Sequence, residues 1–415
     1  MRRLLGSGIF IVIMLVIDWY VFQAVKLVSQ SASAKARFII YGVYWGITTI
    51  AVLFFLLSPF LNVDNWPKTL RTYLFATVIG LFIGKFVAAV FFIVDDLRRL
   101  IQWGGGKLYY QFVQGENFAG AEITRSTFLS WLGLGIGGGL FGSLVWGFGN
   151  KYRYQLERIQ MAFANLPESF KGLKIVHISD IHSGSFTDRQ AVLKGIKKIL
   201  DEKPDVIFFT GDLVNDMADE MKDYKEVFAQ LKAPMGVYST LGNHDYGDYR
   251  SWPSAEAKRE NLERLKNIHA EMGWKLLVNE HVPLEKNGHQ LAVIGIENWS
   301  AKGRFAKYGK MDKAYEGTDK YPFKILLSHD PSHWDAEVRT KYADVDLTLS
   351  GHTHGMQFGV EIPGFRWSPV QYVYKQWAGL YEAGAQKLYV NRGFGFIGYP
   401  GRVGILPEIT VIELV

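Results

Sequence analysis

Five short motifs rich in Asp and His, each preceded by an apolar run, constrain the fold of this chain more than any other feature. The first run, KIVHIS at residues 174–179, leads into Asp180 and His182. The same arrangement recurs at GDLVN (211–215), GNHD (242–245), SHD (328–330) and GHTH (351–354). Short apolar runs that end in polar side chains are typical of buried strands in an α/β sheet, whose carboxyl ends carry ligands.

The histidines are concentrated in these motifs. The chain has ten histidines, and five of them occupy the strand-end positions: His182, His244, His329, His352 and His354. An Asp-x-His triplet alone is weak evidence, because it arises often by chance. Its recurrence with similar motifs at five strand ends favours a metal centre over a set of solvated strand ends.

Together the motifs resemble the signature of the calcineurin-like metallophosphoesterases, which is D-x-H, G-D-x-x-N/D, G-N-H-D/E, a lone His and G-H-x-H. All five blocks are present in order, with no ligand missing. The resemblance covers residues 154–415. Within it, LYVNRGFG and PEITVIEL resemble a branch of membrane-associated or exported phosphodiesterases, some of which act on UDP-2,3-diacylglucosamine.

The resemblance implies an α/β fold, a four-layer αββα sandwich of two mixed sheets, and a hydrolase that acts on phosphoric ester bonds. The residues themselves support the same architecture. An amphipathic helical pattern between the first two apolar runs predicts a βαβ unit. The number of further strands predicts two packed sheets with helices outside.

The resemblance also implies two divalent metal ions. Asp212 would bridge them, since a carboxylate can offer one oxygen to each ion. The remaining ligands would be Asp180, His182 and His354 at the first ion, and Asn243, His329 and His352 at the second. Mixed imidazole and oxygen donors suit Mn, Fe or Zn better than Ca.

Five more residues are candidates for supporting roles. By resemblance, His244 would protonate the leaving group or steady the transition state, with Asp245 as its orienting partner. Asn215 and Asp330 either orient ligand imidazoles or the strand turn, or serve as plain turn and helix-cap residues. Arg392, in NRGFG, either binds a substrate phosphate bidentately or forms an ordinary surface salt bridge.

Four apolar segments precede these motifs, and each is long enough to cross a bilayer. They occupy residues 4–28, 38–61, 73–94 and 128–148. We therefore predict a transmembrane region with four helices at residues 1–150 and a metallophosphoesterase domain at residues 151–415. The first segment is too long for a cleaved signal peptide and no small-residue cleavage site follows it, so we interpret it as an anchor.

Two charges lie near the middle of these segments, Asp18 in the first and Lys85 in the third. Charges at that depth are costly, and helices one and three of a four-helix array run parallel. We therefore expect an ion pair, with a polar path or a lipid-headgroup site as the alternative. The fourth segment repeats glycine every four residues, as at Gly133 and Gly137, which predicts close helix packing.

Charge and composition limit the partners. The formal net charge is +6, which in a membrane protein reflects loops facing anionic headgroups more often than nucleic-acid binding. No basic patch with interleaved aromatics is evident in the sequence, so we expect no nucleic-acid partner. The chain has no cysteine and therefore no disulfide.

Four crossings put the amino terminus and the metallophosphoesterase domain on the same side of the membrane. The Lys and Arg residues of the connecting segments are equal in number on the two sides, so the positive-inside rule does not choose between them. Residues 124–129, TRSTFL, resemble a twin-arginine export motif whose second arginine is lost. This segment favours an extracytoplasmic catalytic domain in a multi-pass protein of the cell membrane.

These observations predict a membrane-anchored dinuclear phosphoesterase that hydrolyses a phosphodiester or pyrophosphate bond. A lipid or lipid-linked substrate is favoured, because only a short connector separates the fourth segment from the catalytic domain. Aromatic residues after the GHTH motif either form a lip that faces membrane lipids or belong to a packed surface loop: Trp367, Tyr372, Tyr374 and Trp377. The alternatives are a transporter or sensor with a regulatory phosphoesterase domain, and a phosphomonoesterase or protein phosphatase.

Overall fold

The structure, a computed structural model, describes residues 2–58, 60–61, 63, 66–109, 111–112, 124–303 and 305–415. The chain divides into two compact units. We call Met1–Trp146 the helical unit and Gly147–Val415 the sheet unit. The boundary lies four residues before the one predicted from the sequence.

The helical unit contains four helices that are long and apolar enough to cross a membrane. They are α1 (Arg2–Val28), α2 (Ala34–Leu57), α3 (Lys68–Tyr109) and α4 (Thr127–Gly147). The third helix continues well beyond the predicted segment 73–94. Its extension carries two ion pairs whose partners are three residues apart, Arg98 with Asp95 and Arg99 with Asp96, each at 2.9 Å. Such pairs suit a helix that leaves the apolar layer.

The two intramembrane charges meet, as the sequence predicted. The carboxylate of Asp18 is buried and pairs with the ammonium of Lys85. The same carboxylate oxygen accepts hydrogen bonds from Thr48 Oγ1 at 3.0 Å and from the Tyr44 hydroxyl at 3.2 Å. Donors from two neighbouring helices thus satisfy this charge, which supports the interpretation as a structural ion pair.

Glycines bring α3 and α4 into close contact. A Cβ added to Gly84 would lie 2.6 Å from the carbonyl oxygen of Gly137, and one added to Gly137 would lie 2.3 Å from that of Gly84. The close packing predicted for the glycine-rich helix is therefore confirmed. Just before α4, Arg125 binds Asp96 of α3 at 2.8 Å, so the arginine of TRSTFL has a packing role.

The sheet unit is built from two six-stranded sheets and a separate hairpin. The first sheet has the order β1 (Gln155–Met161), β14 (Glu408–Leu414), β2 (Lys174–Ile178), β3 (Val206–Phe209), β4 (Val237–Ser239), β5 (Lys275–Leu276). The second has the order β12 (Gly379–Ala383), β13 (Gln386–Val390), β9 (Leu347–Ser350), β8 (Lys324–Leu327), β7 (His289–Gly295), β6 (Glu280–Lys286). The hairpin consists of β10 (Val360–Ile362) and β11 (Phe365–Trp367).

Both sheets are mixed, with parallel strands at their centres. In the first sheet β2, β3, β4 and β5 are parallel and β14 is antiparallel to β2. In the second, β7, β8, β9 and β13 are parallel, while β6 and β12 are antiparallel edge strands. Parallel strands buried on both faces read as continuous apolar runs, which is why VIFF and KILL form strands here.

Helices cover the outer faces of the sheets. They are α5 (Arg189–Asp201), α6 (Lys225–Phe228), α7 (Ala255–Glu271), α8 (Met311–Tyr315) and α9 (Arg339–Lys341). Ile175 and Phe208 of the first sheet pack against Val293 and Leu349 of the second in a core between the sheets. Separate apolar clusters on the outer faces join each sheet to its helices, so the predicted αββα sandwich is confirmed.

Candidate metal centre

The five motifs occupy loops that directly follow parallel strands. The strands β2, β3 and β4 of the first sheet and β8 and β9 of the second end at these loops. The carboxyl ends of neighbouring parallel strands lie at the same edge of a sheet, so the side chains that follow them converge. The loops carry Asp180, His182, Asp212, Asn243, His244, His329, His352 and His354.

One group of ligand atoms comes from Asp180, His182 and His354, and their donor atoms all lie within 4.8 Å of one another. Asp180 Oδ1 lies 3.2 Å from His354 Nε2. His182 Nε2 lies 3.0 Å from the same nitrogen. All three side chains are buried, so the group is a preorganised set of donors and not a solvated surface cluster.

A second group comes from Asp212, His329 and His352. Asp212 Oδ2 lies 3.2 Å from His329 Nε2. The side-chain oxygen of Asn243 lies 3.2 Å from His329 Nε2 and 2.8 Å from His352 Nδ1. The amide oxygen of Asn243 therefore belongs with this group.

Asp212 lies between the two groups. The oxygen that contacts His329 also lies 3.5 Å from His182 Nε2 of the first group. A carboxylate in this position can serve two ions at once. The seven predicted ligands thus meet in two adjoining groups with Asp212 between them.

Hydrogen bonds fix which ring nitrogen of two ligand histidines faces the centre. His329 Nδ1 donates to the carbonyl of Thr210 at 2.7 Å, and its Nε2 faces Asp212 and Asn243 in the centre. His352 Nε2 donates to the Tyr374 hydroxyl at 2.8 Å, and that hydroxyl donates to Asp330 Oδ2 at 3.2 Å. Asp330 therefore orients a ligand imidazole through Tyr374, which is one of the two roles expected for it.

Burial and the carboxylates set the charge states of the centre. Burial lowers the pKa of the His182 imidazole well below its ordinary value, so its lone pair is available to a metal. Burial would raise the pKa of Asp212, but the neighbouring His329 and His244 more than offset this and hold it well below its ordinary value. Burial would lower the pKa of His329, but Asp212 raises it to about 10.

This donor set fits a pair of divalent cations. A carboxylate between two groups of imidazole, carboxylate and amide donors supplies negative charge and lone pairs at once. The proton that Asp212 stabilises on His329 occupies a place that a cation would take on binding. The fit rests on the ligand atoms, which face one another across distances of 2.8 to 3.5 Å.

The backbone of the ligand loops is strained. Ten non-glycine residues in the described chain have positive φ, and five of them are predicted ligands. These five are Asp180, His182, Asp212, His352 and His354, with φ between 48° and 69°. Such conformations cost roughly 1 kcal/mol or more each and cluster at functional sites.

The glycines of the motifs allow the loops to approach each other. A Cβ added to Gly242 would lie 2.2 Å from Asp212 Oδ1. A Cβ added to Gly351 would lie 2.2 Å from Asp180 Oδ2. Each glycine therefore makes room for a ligand carboxylate that another strand supplies.

His244 lies beside the centre with one ring nitrogen fixed. Its Nδ1 donates to the carbonyl of Asn215 at 2.7 Å, and its backbone N–H donates to Asp212 Oδ1 at 2.8 Å. Its ring packs against those of His182 and Tyr249, with centroids 5.0 and 4.6 Å away. The hydrogen bond of its ring uses Nδ1, so the second ring nitrogen, Nε2, is not part of that contact.

The prediction that Asp245 orients His244 is wrong. The buried Asp245 carboxylate accepts backbone N–H groups of Gly242 at 2.8 Å, Asp212 at 2.9 Å and Leu213 at 2.8 Å. It ties the loop after β4 to the loop after β3. The backbone carbonyl of Asn215 is what orients the His244 ring.

The geometry also corrects the prediction that Arg392 binds substrate phosphate. Its guanidinium is buried and pairs with the carboxylates of Glu408 and Glu361. Both sides of the planar fork are therefore committed within the protein. Arg392 forms an ion-paired cluster beside the metal centre.

A second arginine, which the sequence did not indicate, contacts a ligand. Arg402 is fully buried, and its guanidinium donates to the carbonyl of His354 at 3.3 Å and lies 3.2 Å from His354 Nδ1. It also donates to the carbonyls of Arg392 at 2.8 Å and Gly393 at 3.2 Å. Burial lowers the pKa of Arg402 to about 9, so it remains a cation at neutral pH.

Comparisons with known proteins agree with this geometry. A family model described as a probable calcineurin-like phosphoesterase transmembrane domain matches residues 1–150. A second model, calcineurin-like phosphoesterase, matches residues 173–356. With the four apolar helices, the first match shows that this is a membrane protein.

Curated relatives match about three fifths of the chain. A transmembrane protein with metallophosphoesterase domain from Danio rerio is 30% identical over 265 residues, 62% of this chain and 56% of the relative. The uncharacterized metallophosphoesterase YkuE of Bacillus subtilis is 32% identical over 259 residues, 60% of this chain and 81% of the relative. The UDP-2,3-diacylglucosamine pyrophosphatase LpxG of Chlamydia trachomatis is 27% identical over 303 residues, 61% of this chain and 88% of the relative. The alignment thus spans little more than half the length of the zebrafish relative.

Proposed function

Because this chain belongs to the calcineurin-like metallophosphoesterases, we propose that it cleaves a phosphodiester or pyrophosphate bond in a lipid or lipid-linked substrate. Membership in the family makes it a hydrolase of phosphoric ester bonds. The observation that carries the dinuclear part of this proposal is the position of Asp212 between two groups of largely buried ligand atoms. We further propose that the ions are two of Mn, Fe or Zn, which suit this mixture of imidazole and oxygen donors.

When bound, two such ions would hold phosphate oxygens and make a water molecule more acidic. The protein's own contribution is to fix the geometry. Asp212 keeps the two groups of ligands in register, and Asp245 fixes the loop that carries it. The imidazole of His244, with Nδ1 held by Asn215, presents Nε2 as the donor of a proton to the leaving oxygen.

A substrate held in the bilayer is supported by contacts within the sheet unit. Gly147 is the last residue of α4 and the first of the sheet unit. Its carbonyl accepts a hydrogen bond from the backbone N–H of Arg402 at 3.0 Å, and Asn150 Nδ2 donates to the Arg402 carbonyl at 3.2 Å. The side chain of Arg402 then reaches the ligand His354. Within the sheet unit, Arg402 therefore contacts both the first residue of the unit, Gly147, and the candidate ligand His354.

The name of the Chlamydia relative supports the same substrate class, since a diacylglucosamine nucleotide is a lipid-linked pyrophosphate. We also propose that the sheet unit lies outside the cytoplasm. The support for this side is the resemblance of TRSTFL, residues 124–129, to an export motif of which it keeps one arginine, Arg125, and that arginine also pairs with Asp96.

The test uses the full-length protein in liposomes. Hydrolysis of bis-p-nitrophenyl phosphate should require added Mn²⁺, stop with a chelator and return when metal is restored. Asp212→Asn should abolish turnover because it removes the shared charge. Asp201→Asn, at an exposed aspartate that pairs only with Lys197 in the described structure, is the matched control and should keep full activity. Activity that persists through chelation would contradict the dinuclear centre.

The substrate class needs a second measurement. Protein in these liposomes should hydrolyse a bilayer-embedded phospholipid or lipid-linked pyrophosphate at a higher rate than detergent-dispersed protein does. Both preparations should treat the soluble diester alike, because tethering raises the local concentration only of substrates in the membrane. Equal rates on every lipid would remove the membrane substrate and leave the helices as an anchor.

A further inference from the structure

The hairpin of β10 and β11 has one charged and one apolar face. Val360 pairs with Trp367, and Ile362 pairs with Phe365. Cross-strand partners lie on the same face of a hairpin, and successive residues alternate between faces. These four residues therefore form one face, and the pair Glu361 and Arg366 belongs to the other.

The charged face is the one that packs on the protein. Glu361 pairs with the buried Arg392, and the guanidinium of Arg366 lies 5.1 Å from the ring centroid of Trp377. The apolar face is turned outward, with Ile362 58% and Phe365 53% exposed. A water-exposed antiparallel hairpin normally has the opposite arrangement, with its apolar face packed on the core.

The outward side chains belong to a larger cluster in sequence. Among the described residues of the sheet unit, eight large hydrophobic side chains are exposed, and six of them fall within residues 356–373. We call these six the apolar patch: Met356, Val360, Ile362, Phe365, Tyr372 and Val373. An exposed apolar concentration of this kind marks a contact surface.

The predicted aromatic lip is only partly correct in this light. Of its four members Tyr372 is exposed, at 77%, whereas Tyr374 and Trp377 are buried and Trp367 is half-buried. Tyr374 contacts the ligand His352, so its role is inside the site. The exposed surface is mainly aliphatic and lies on the hairpin.

Contacts at the base of the hairpin indicate what covers the apolar patch. The backbone N–H of Gly359 donates to the Val403 carbonyl, and that of Val403 donates to the Gln357 carbonyl, both at 2.8 Å. The neighbouring Arg402 binds the Gly147 carbonyl at 3.0 Å. The hairpin therefore starts beside the residue at which the chain leaves α4. A helix that crosses a bilayer ends near the bilayer surface, so the surface that α4 leaves is the nearest apolar phase.

The charges around the apolar patch suit the same surface. Glu361 is the only acidic residue between Gly355 and Lys375, and it pairs with Arg392. Arg366 and Lys375 remain as cations in this segment. Apolar side chains flanked by Lys and Arg are the usual composition of protein surfaces that lie in the headgroup region of anionic membranes.

We propose that the apolar patch inserts into the headgroup and upper acyl region of the bilayer that holds the four helices. The patch begins two residues after the ligand His354, so insertion would hold the metal centre at the membrane surface. This membrane contact rests on the proposed function in one respect, which is that the substrate held at the metal centre comes from the bilayer. The occupant is lipid, and a protein partner or a second copy of this chain is an outcome that the test excludes.

The test measures the depth of the apolar patch directly. The chain contains no cysteine, so Ile362→Cys and Phe365→Cys each provide one site for an environment-sensitive fluorophore. His289→Cys, at the exposed end of a different antiparallel hairpin in the same unit, is the matched control. Full-length variants are placed in liposomes of phosphatidylcholine and phosphatidylglycerol, with nitroxide-bearing lipids or aqueous iodide as quenchers.

Labels at residues 362 and 365 should be quenched by the nitroxide lipids and protected several-fold from iodide relative to the label at residue 289. Labels that iodide quenches as strongly as the control would overturn the proposal. Protection from iodide without quenching by lipid would also overturn it, because the cover would then be protein.

A rate measurement separates this proposal from the proposed function. Replacing both residues by aspartate should lower the rate on a bilayer-embedded phosphodiester, relative to the rate on bis-p-nitrophenyl phosphate, by at least about tenfold. If the wild-type protein hydrolyses neither substrate while the labels lie in lipid, the proposed function fails and the membrane contact stands. If it hydrolyses both while the labels lie in water, the membrane contact alone fails.

Discussion

His244→Asn tests whether the histidine beside the metal centre is the acid of the reaction. The substitution removes Nε2, the nitrogen that faces substrate, and with it the bond from Nδ1 to the Asn215 carbonyl. It does not remove the bond to Asp212, because the backbone N–H at position 244 makes that contact. The metal ligands should therefore stay in place, and the metal content should match that of the wild type.

The expected loss is in the chemical step. General acid catalysis contributes roughly 10²- to 10⁴-fold, which is about 2.7 to 5.5 kcal/mol of transition-state stabilisation. The loss should be largest for aryl phosphodiesters with basic leaving groups, since good leaving groups need little protonation. The assay is kcat/KM across a series of such diesters, with metal content measured on the same samples.

His289→Asn, at an exposed histidine outside the centre, is the control and should behave as wild type. Equal losses across leaving groups of widely different basicity would show that His244 is not the acid. A loss that follows reduced metal content would assign it to assembly of the centre.

Three further predictions concern other residues. Asp245→Asn should lower the free energy of unfolding by roughly 3 kcal/mol, measured by denaturant-induced unfolding. The NH₂ group of the asparagine would face backbone N–H groups that now donate to the carboxylate. Arg392→Lys should lower the melting temperature, because it disturbs a buried ion pair, and should leave KM for the soluble diester unchanged. A raised KM would instead support the prediction that Arg392 binds the substrate phosphate. Lys310→Cys should react with an impermeant maleimide in intact cells and Lys107→Cys should not, as expected for an extracytoplasmic sheet unit; the reverse result would place it in the cytoplasm.

The fold and the convergence of the candidate ligands were predictable for the same physical reason. Buried parallel strands are apolar on both faces, so VIFF and KILL stand out as short runs, and the ligands must follow at their carboxyl ends. The helices of the membrane region were predictable from length and hydropathy alone. The end of α3 was not predictable in this way. Hydropathy falls at Asp95, but the helix continues to Tyr109, and the ion pair of Asp95 with Arg98 lies along this extension.

The roles of Asp245 and Arg392 were beyond reach of the sequence. A motif shows that an acid follows a histidine, but not whether its carboxylate turns to the ring or to the backbone of the next loop. Backbone N–H groups of the loop after β3 point at Asp245. These donors determine that its carboxylate turns to the backbone and not to the His244 ring. The NRGFG motif suggested that Arg392 contacts substrate. In the folded protein its guanidinium pairs with Glu408 and Glu361 instead.

Arg402 shows the same limit more strongly, since no motif contains it. Its burial is tolerable because backbone carbonyls of four residues, His354, Arg392, Gly393 and Gly395, accept hydrogen bonds from its guanidinium in place of a carboxylate. Those carbonyls converge only when the loop after β9 and the loop after β13 fold against each other. The same fold brings the backbone of Arg402 to Gly147, so the residue that supports a metal ligand also receives the chain from the fourth apolar helix. A sequence pattern records neither contact, because both depend on partners roughly 50 and 250 positions away.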